Sequence, residues 1–178
     1  MIEYINSEIG KMSYNEHKEK SPNSVTCSVL IISDSRTEEN DESGRFLKDR
    51  LEKNGHRVLS YALLTNDVAA IKKQVKTLLQ QAELQVIITS GGTGASHRDV
   101  SVETITPLLE KKLDGFGELF RFLTYQEIGT TSVMSRAMAG VANGKIIISL
   151  PGSLGAVTLA MEKIILPEVG HMVREATR

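Results

Sequence analysis

The sequence predicts an α/β protein with a doubly wound, mostly parallel sheet and helices on both faces. Short aliphatic and β-branched runs alternate with segments of helical periodicity along most of the chain. The runs alternate poorly between apolar and polar residues, as strands covered on both faces do. Two of them end directly in glycine clusters, "SGGTG" and "LPGSLG". In a parallel sheet with right-handed crossovers, loops that follow strands gather on one edge, where such sheets hold ligands.

Each element has its own signal. "VTCSVLIIS" (25–33) is a β-branched run and reads as the first strand. "ENDESGRFLKDRLEKNG" reads as a helix with Phe46, Leu47 and Leu51 on one side and Gly55 as its stop. "HRVLSYALL" (56–64) is the second strand. A helix then runs from Val68 to Ala82, with Ile71, Val75, Leu78 and Leu79 at helical spacing. "LQVIITS" (84–90) is the third strand and enters the first glycine loop.

Beyond that loop, "VETITPLLEKKL" contains a short helix, and "LDGFGELFRFLTY" aligns Leu113, Phe116, Leu119, Phe120 and Leu123 in a stripe for the core or a subunit interface. "SVMSRAMAGVA" reads as a further helical piece. "KIIISLP" (145–151) is the last strand and "SLGAVTLAMEKII" the last helix, which Pro167 should end or kink. Residues 1–23 are polar and without sustained periodicity, so they read as a flexible arm, leaving 24–178 as one domain.

Composition narrows the function classes. A net charge of −1 gives no electrostatic reason to expect nucleic acid. No apolar run reaches the length of a membrane span, and the N-terminus lacks the apolar block of a signal peptide. The single cysteine, Cys27, lies inside an apolar run and reads as a core residue. The four histidines show no metal-ligand spacing. A cytoplasmic protein without membrane or nucleic-acid partners is expected.

The glycine loop carries the functional signal. Ser90, Gly91, Gly92, Thr93 and Gly94 offer backbone N–H groups with few side chains to block them, an arrangement suited to an anion. A tight turn explains the cluster equally well when it is taken alone. Arg98 and Asp99 follow, a cation and a carboxylate that could hold Mg²⁺ together with phosphate oxygens. Pro151, Gly152 and Ser153 form a second such loop, with Ser153 either a helix cap or a ligand contact. Ser33, Asp34 and Arg36 supply the same rim from the first strand, and Ser135 and Arg136 are further candidates. Converging polar loops favour a phosphorylated or nucleotide ligand.

"SGGTGASHRDVSVETI", "GFGELFR", "SRAMAG" and "SLPGSLGA", in this order, closely resemble the MoaB/MogA family of molybdenum cofactor biosynthesis proteins, from about residue 25 to the C-terminus. The resemblance implies a three-layer sandwich, a trimer or a hexamer of two trimers, molybdopterin binding and association with other proteins of the pathway. It further implies adenylylation of molybdopterin by Mg²⁺ and ATP, with release of pyrophosphate. Gly91, Gly92, Thr93, Gly94 and Asp99 match the family's motif. Active relatives also use an aspartate after the second strand, and counting back from Ile71 reaches Asn66, with Asp67 beside it. An amide offers Mg²⁺ only a neutral oxygen. Asp67 could take over, Asn66 could support a slower reaction with Asp99 carrying the metal, or the protein could bind molybdopterin without catalysis.

Overall fold

The alternation of side chains along the central strands decides how the molecule is layered. The computed structural model describes residues 20–178. In strand β1 (Thr26–Ile32), Cys27, Val29 and Ile31 enter one apolar cluster, whereas Leu30 and Ile32 enter another. Strands β3 (Val86–Ser90) and β6 (Lys145–Leu150) divide the same way, with Ile88 and Ile148 on the first side and Ile87 and Ile147 on the second. Period-two alternation therefore builds two cores on one sheet.

The sheet has six strands in the order β2-β1-β3-β6-β5-β4. Strands β2 (Arg57–Leu64), β1, β3 and β6 are mutually parallel, and β5 (Met138–Ala142) and β4 (Lys111–Lys112) are antiparallel additions. Helix α1 (Glu42–Lys53) contributes Leu47 and Leu51 to the first core. Helix α2 (Val68–Leu79) contributes Ile71, Val75, Leu78 and Leu79 to the second, joined by Ile105 of α3 (Ser101–Ile105). The long helix α4 (Asp114–Ile128) buries Phe116 and Phe120, with Leu113 and Leu123 packed beside them, so most of the Phe/Leu stripe is core. Only Leu119 of that stripe is exposed.

Two expectations are corrected. Residues 132–142 were expected to be helical, yet only a 3₁₀ turn (Gly129–Met134) precedes β5. Asn143 and Gly144 both have positive φ, 50° and 67°, which is the tight turn that joins twisted antiparallel strands. That turn folds β5 onto β6, and tertiary pairing overrides the helical propensity of its alanines. Pro167 was expected to end or kink the last helix, and it does not end it: helical backbone continues from α5 (Leu154–Ala160) through Met161–Ile165 into α6 (Leu166–Ala176). The middle segment is a π turn in which the Leu166 N–H donates to the Met161 carbonyl. The ladder is thus already shifted where the proline's missing donor falls.

The arm expected for residues 1–23 lies, up to residue 19, outside the described residues. Pro22 packs on α6, its carbonyl oxygen occupying the space a side chain at Gly170 would need. Cys27 is fully buried, and burial pushes its thiol up to about 12. Among the described residues no helix is long and apolar enough to cross a membrane.

His56 closes the start of the domain by accepting the Val25 N–H at Nδ1, 3.3 Å away. Burial lowers its pKa from the ordinary 6.5, so the folded protein favours the neutral ring. The unfolded chain then binds the proton first as pH falls. Stability is therefore expected to be full above pH 6.5 and to decline below it. Melting temperatures measured from pH 8 to pH 5 should show a shallower acid decline in His56→Gln than in the parent; superimposable curves would contradict the assignment.

Candidate active site

The sheet order places a topological switch point between β1 and β3, because β2 lies on one side of β1 and β3 on the other. The loops after β1, β3 and β6 converge there on a cavity of about 750 Å³. One wall is polar, built from Ser33, Asp34, Arg36, Gly91–Gly94, Arg98 and Asp99. Helix α4 and the turn after it add Phe120, Ile128 and Met134, together with Thr124, Thr131 and Ser132. Such a lining suits a ligand with an anionic part and a less polar part.

The glycine loop is locked from behind through its carbonyls. Ser101, fully buried, donates its Oγ hydrogen to the Gly91 carbonyl at 2.8 Å and its N–H to the Gly92 carbonyl at 2.9 Å. Arg136 donates from Nη1 to the Gly94 carbonyl at 3.2 Å and is itself held by Glu103. The amides of Gly92, Thr93 and Gly94 find no acceptor among the described residues. Carbonyls tied back and amides left unpaired make an anion cradle.

Gly91 and Gly92 have φ of 105° and 63°, in the region that disfavours side chains. A side chain at 91 would strike the Ile32 carbonyl, and one at 92 would strike Asn66 Oδ1 and Ser101 Oγ. A side chain at 94 would come within 2.7 Å of Asp99 Oδ2. The glycines thus also make room for the protein's own polar groups.

The second loop repeats the design. The Pro151 carbonyl accepts from Ser90 Oγ at 3.1 Å, and the Gly152 carbonyl accepts from Arg36 Nη2 at 2.7 Å and Ser43 Oγ at 3.0 Å. The Gly91 N–H bridges the two loops by donating to the Leu150 carbonyl at 3.0 Å. The Gly152 and Ser153 amides find no acceptor among the described residues.

The sequence candidates separate into distinct roles. Ser33, Asp34, Asn66, Ser90, Gly91, Gly92, Thr93, Gly94, Arg98, Asp99, Ser135, Pro151, Gly152 and Ser153 all line the cavity. Asp67 does not; it caps α2 by accepting the Ala70 N–H at 2.7 Å. Arg136 stands behind the loop rather than in the cavity, and Arg36 has both terminal nitrogens engaged. Ser153 also caps α5, accepting the Ala156 N–H at 3.3 Å. Asp34 accepts the Asn66 N–H at 2.8 Å, and Asp99 accepts the Ser96 N–H at 3.1 Å. Ser101, Ser43 and the apolar lining escaped the sequence reading, although the Asn143-Gly144 pair signals the hairpin that positions residues 129–136.

Two cavity-lining oxygens, Asn66 Oδ1 and Ser135 Oγ, are buried without a hydrogen-bond partner. Such orphaned atoms are costly unless a ligand or water completes them. Asp99 and Asp34 bring hard oxygen donors, while no three metal-ligating side chains cluster among the described residues. That donor set fits Mg²⁺ that arrives with phosphate oxygens rather than a cage made by the protein alone.

The profile of the family described as "Probable molybdopterin binding domain" matches residues 28–171. Molybdenum cofactor biosynthesis protein B of Bacillus cereus is 45% identical over 168 residues, covering 94% of this chain and 99% of the relative. The chain belongs to the MoaB/MogA family. A crystal structure of a molybdenum cofactor biosynthesis protein B superposes with a TM-score of 0.84 at 44% identity, over 88% of this chain and 98% of that one. The tungsten cofactor synthesizing protein MoaB from Pyrococcus furiosus superposes with a TM-score of 0.80 at 33% identity, over 89% and 100%. The six-stranded α/β architecture is therefore that of the MoaB/MogA family.

Arg98 lines the cavity, and its guanidinium pairs with no acceptor among the described residues. Arg98→Ala should weaken inorganic pyrophosphate binding about tenfold at low salt, with the gap narrowing as ionic strength rises. Titration calorimetry at two salt concentrations checks this. Unchanged affinity with altered oligomer stability would place the guanidinium at an interface instead.

Proposed function

We propose that this protein acts in molybdenum cofactor biosynthesis by adenylylating molybdopterin with Mg²⁺ and ATP. One observation carries the reading: two glycine loops with unpaired amides line one cavity together with Asp99, Arg98 and apolar side chains. The terminal phosphate of molybdopterin would attack the α-phosphorus of ATP, and pyrophosphate would leave. The chemistry needs two anions brought together and their charge neutralised, so no protein nucleophile is required. The Gly92, Thr93 and Gly94 amides would cradle one phosphate, the Gly152 and Ser153 amides another, and Arg98 would offset their repulsion. Phe120, Ile128 and Met134 would line the heterocycle. Asp99 would hold Mg²⁺, which supplies charge neutralisation at the phosphoryl oxygens.

A second reading, a non-catalytic molybdopterin-binding or carrier protein, is favoured by Asn66. Its Oδ1 is buried, unpartnered and neutral at a cavity position where the family resemblance implies a carboxylate in active relatives. Asp67, committed to capping α2, is a poor substitute. In either reading the protein is proposed to act in the cytoplasm as a homo-oligomer, a trimer or a hexamer. Exposed Phe122, Tyr125 and Val133 on α4 and the following turn are surfaces such an assembly would cover.

The readings separate in one assay of molybdopterin, ATP and Mg²⁺ with the parent, Asn66→Asp and Asp99→Asn. The parent is expected to form adenylylated pterin. Asn66→Asp should act faster, and Asp99→Asn should be slower by on the order of a hundredfold. Pterin binding without adenylylated product in the parent would overturn the catalytic reading in favour of the carrier.

A further inference from the structure

Asp41 is fully buried, and donors from three elements converge on its carboxylate. Oδ1 accepts from the Gly44 N–H at 3.0 Å and from Arg36 Nη1 at 2.9 Å, and Oδ2 accepts from the Tyr61 hydroxyl at 2.7 Å. An ordinary helix cap uses one oxygen, sits at the surface and needs no cation. Here the carboxylate reaches inward, and the sequence makes room for it. A side chain at Gly44 would collide with Asp41 Oδ2 and come within 2.7 Å of the Tyr61 ring. Burial first, and then the hydrogen bond to Asp41, holds the Tyr61 phenol well above its ordinary range, so it stays a donor.

The far end of this network is the second glycine loop. Arg36 spans from Asp41 to the Gly152 carbonyl, and Ser43, two residues after Asp41, donates to the same oxygen. In a planar trans peptide the N–H that follows a carbonyl points the opposite way. Fixing the Gly152 carbonyl on Arg36 and Ser43 therefore turns the Ser153 N–H away from the network, where no acceptor among the described residues takes it. Buried polar networks are kept only when each member is satisfied, and this one is satisfied only with the loop in that orientation.

We infer that Asp41 is a positioning residue: by clamping Arg36 onto the Gly152 carbonyl it presents the Ser153 amide to a phosphoryl oxygen in the cavity. The inference rests on the reading of the cavity as a phosphate site. Asp41 touches no ligand itself and acts through Arg36. Asp41→Asn keeps a side-chain oxygen for Gly44 or Tyr61 but removes the charge that holds the guanidinium. Tyr61→Phe removes a hydrogen bond from the same carboxylate and leaves the Arg36 contact in place. The two variants thus separate positioning from general stability.

The test uses the full chain and three readouts: melting temperature, hydrogen exchange of the segment 149–157 without ligand, and calorimetric affinity for inorganic pyrophosphate with Mg²⁺. Asp41→Asn should exchange faster in that segment and bind pyrophosphate about tenfold more weakly. Tyr61→Phe should lower the melting temperature while leaving exchange and affinity close to the parent. Unchanged exchange in Asp41→Asn, or an equal affinity loss in Tyr61→Phe, would overturn the inference. If Asp41→Asn does not fold, Arg36→Lys reads the same loop, because one ammonium cannot span both acceptors; it too must speed exchange in 149–157. A parent that fails to bind pyrophosphate would sink the phosphate reading, and the exchange data would still decide the positioning role.

Discussion

The site depends on one constraint: most carbonyls of the two glycine loops are occupied by the protein's own donors. Gly91 and Gly92 are held by Ser101, Gly94 by Arg136, Pro151 by Ser90, and Gly152 by Arg36 and Ser43. A peptide plane fixed at its oxygen fixes the N–H of the next residue, so the Gly92, Thr93, Gly152 and Ser153 donors need no reorganisation when an anion arrives. The cost is borne by backbone geometry at Gly91 and Gly92 and by glycine at 44, where a side chain would displace Asp41. Freeing the Gly91, Gly92, Pro151 or Gly152 carbonyl would let a loop rotate and remove a donor.

The same scaffold explains why the cavity is asymmetric. Donors come from the loops after the parallel strands, whereas the large apolar side chains come from α4 and the turn that leads into β5. The loops of the parallel half therefore bring the charged groups and glycine amides, and the segment bridging to the antiparallel half brings Phe120, Ile128 and Met134. Asn66 stands on the charged side, wedged between Gly92 and the Asp34 carboxylate that accepts its amide hydrogen. A carboxylate there would add a negative charge beside Asp34, which favours a cation and disfavours an empty site. An amide relaxes that repulsion and gives up affinity for metal.

Much of the fold was legible because the strands and helices announce themselves locally. β1, β3 and β6 each hold at least three consecutive aliphatic residues, and Ile71, Val75 and Leu78 keep a helical stripe. β5 was not legible from its own residues, since Met138–Ala142 is rich in helix formers and becomes a strand only by pairing with β6. The glycine loops were visible as composition, but the reason for them was not. Ser101 and Arg136 reach back to the loop from downstream, and Arg36 and Gly152 are 116 residues apart. No local pattern encodes such pairings, so the support that Arg36 and Arg136 give the loops could not be read from the sequence.

The most direct measurement is a titration of the isotopically labelled protein with inorganic pyrophosphate and Mg²⁺, followed by the amide resonances of the two loops. The account predicts that Gly92, Thr93, Gly94 and Ser153 shift together and saturate at one ligand concentration, with exposed lysines elsewhere unaffected. Loop resonances that stay still while pyrophosphate binds, or shifts spread over surface lysines alone, would contradict it.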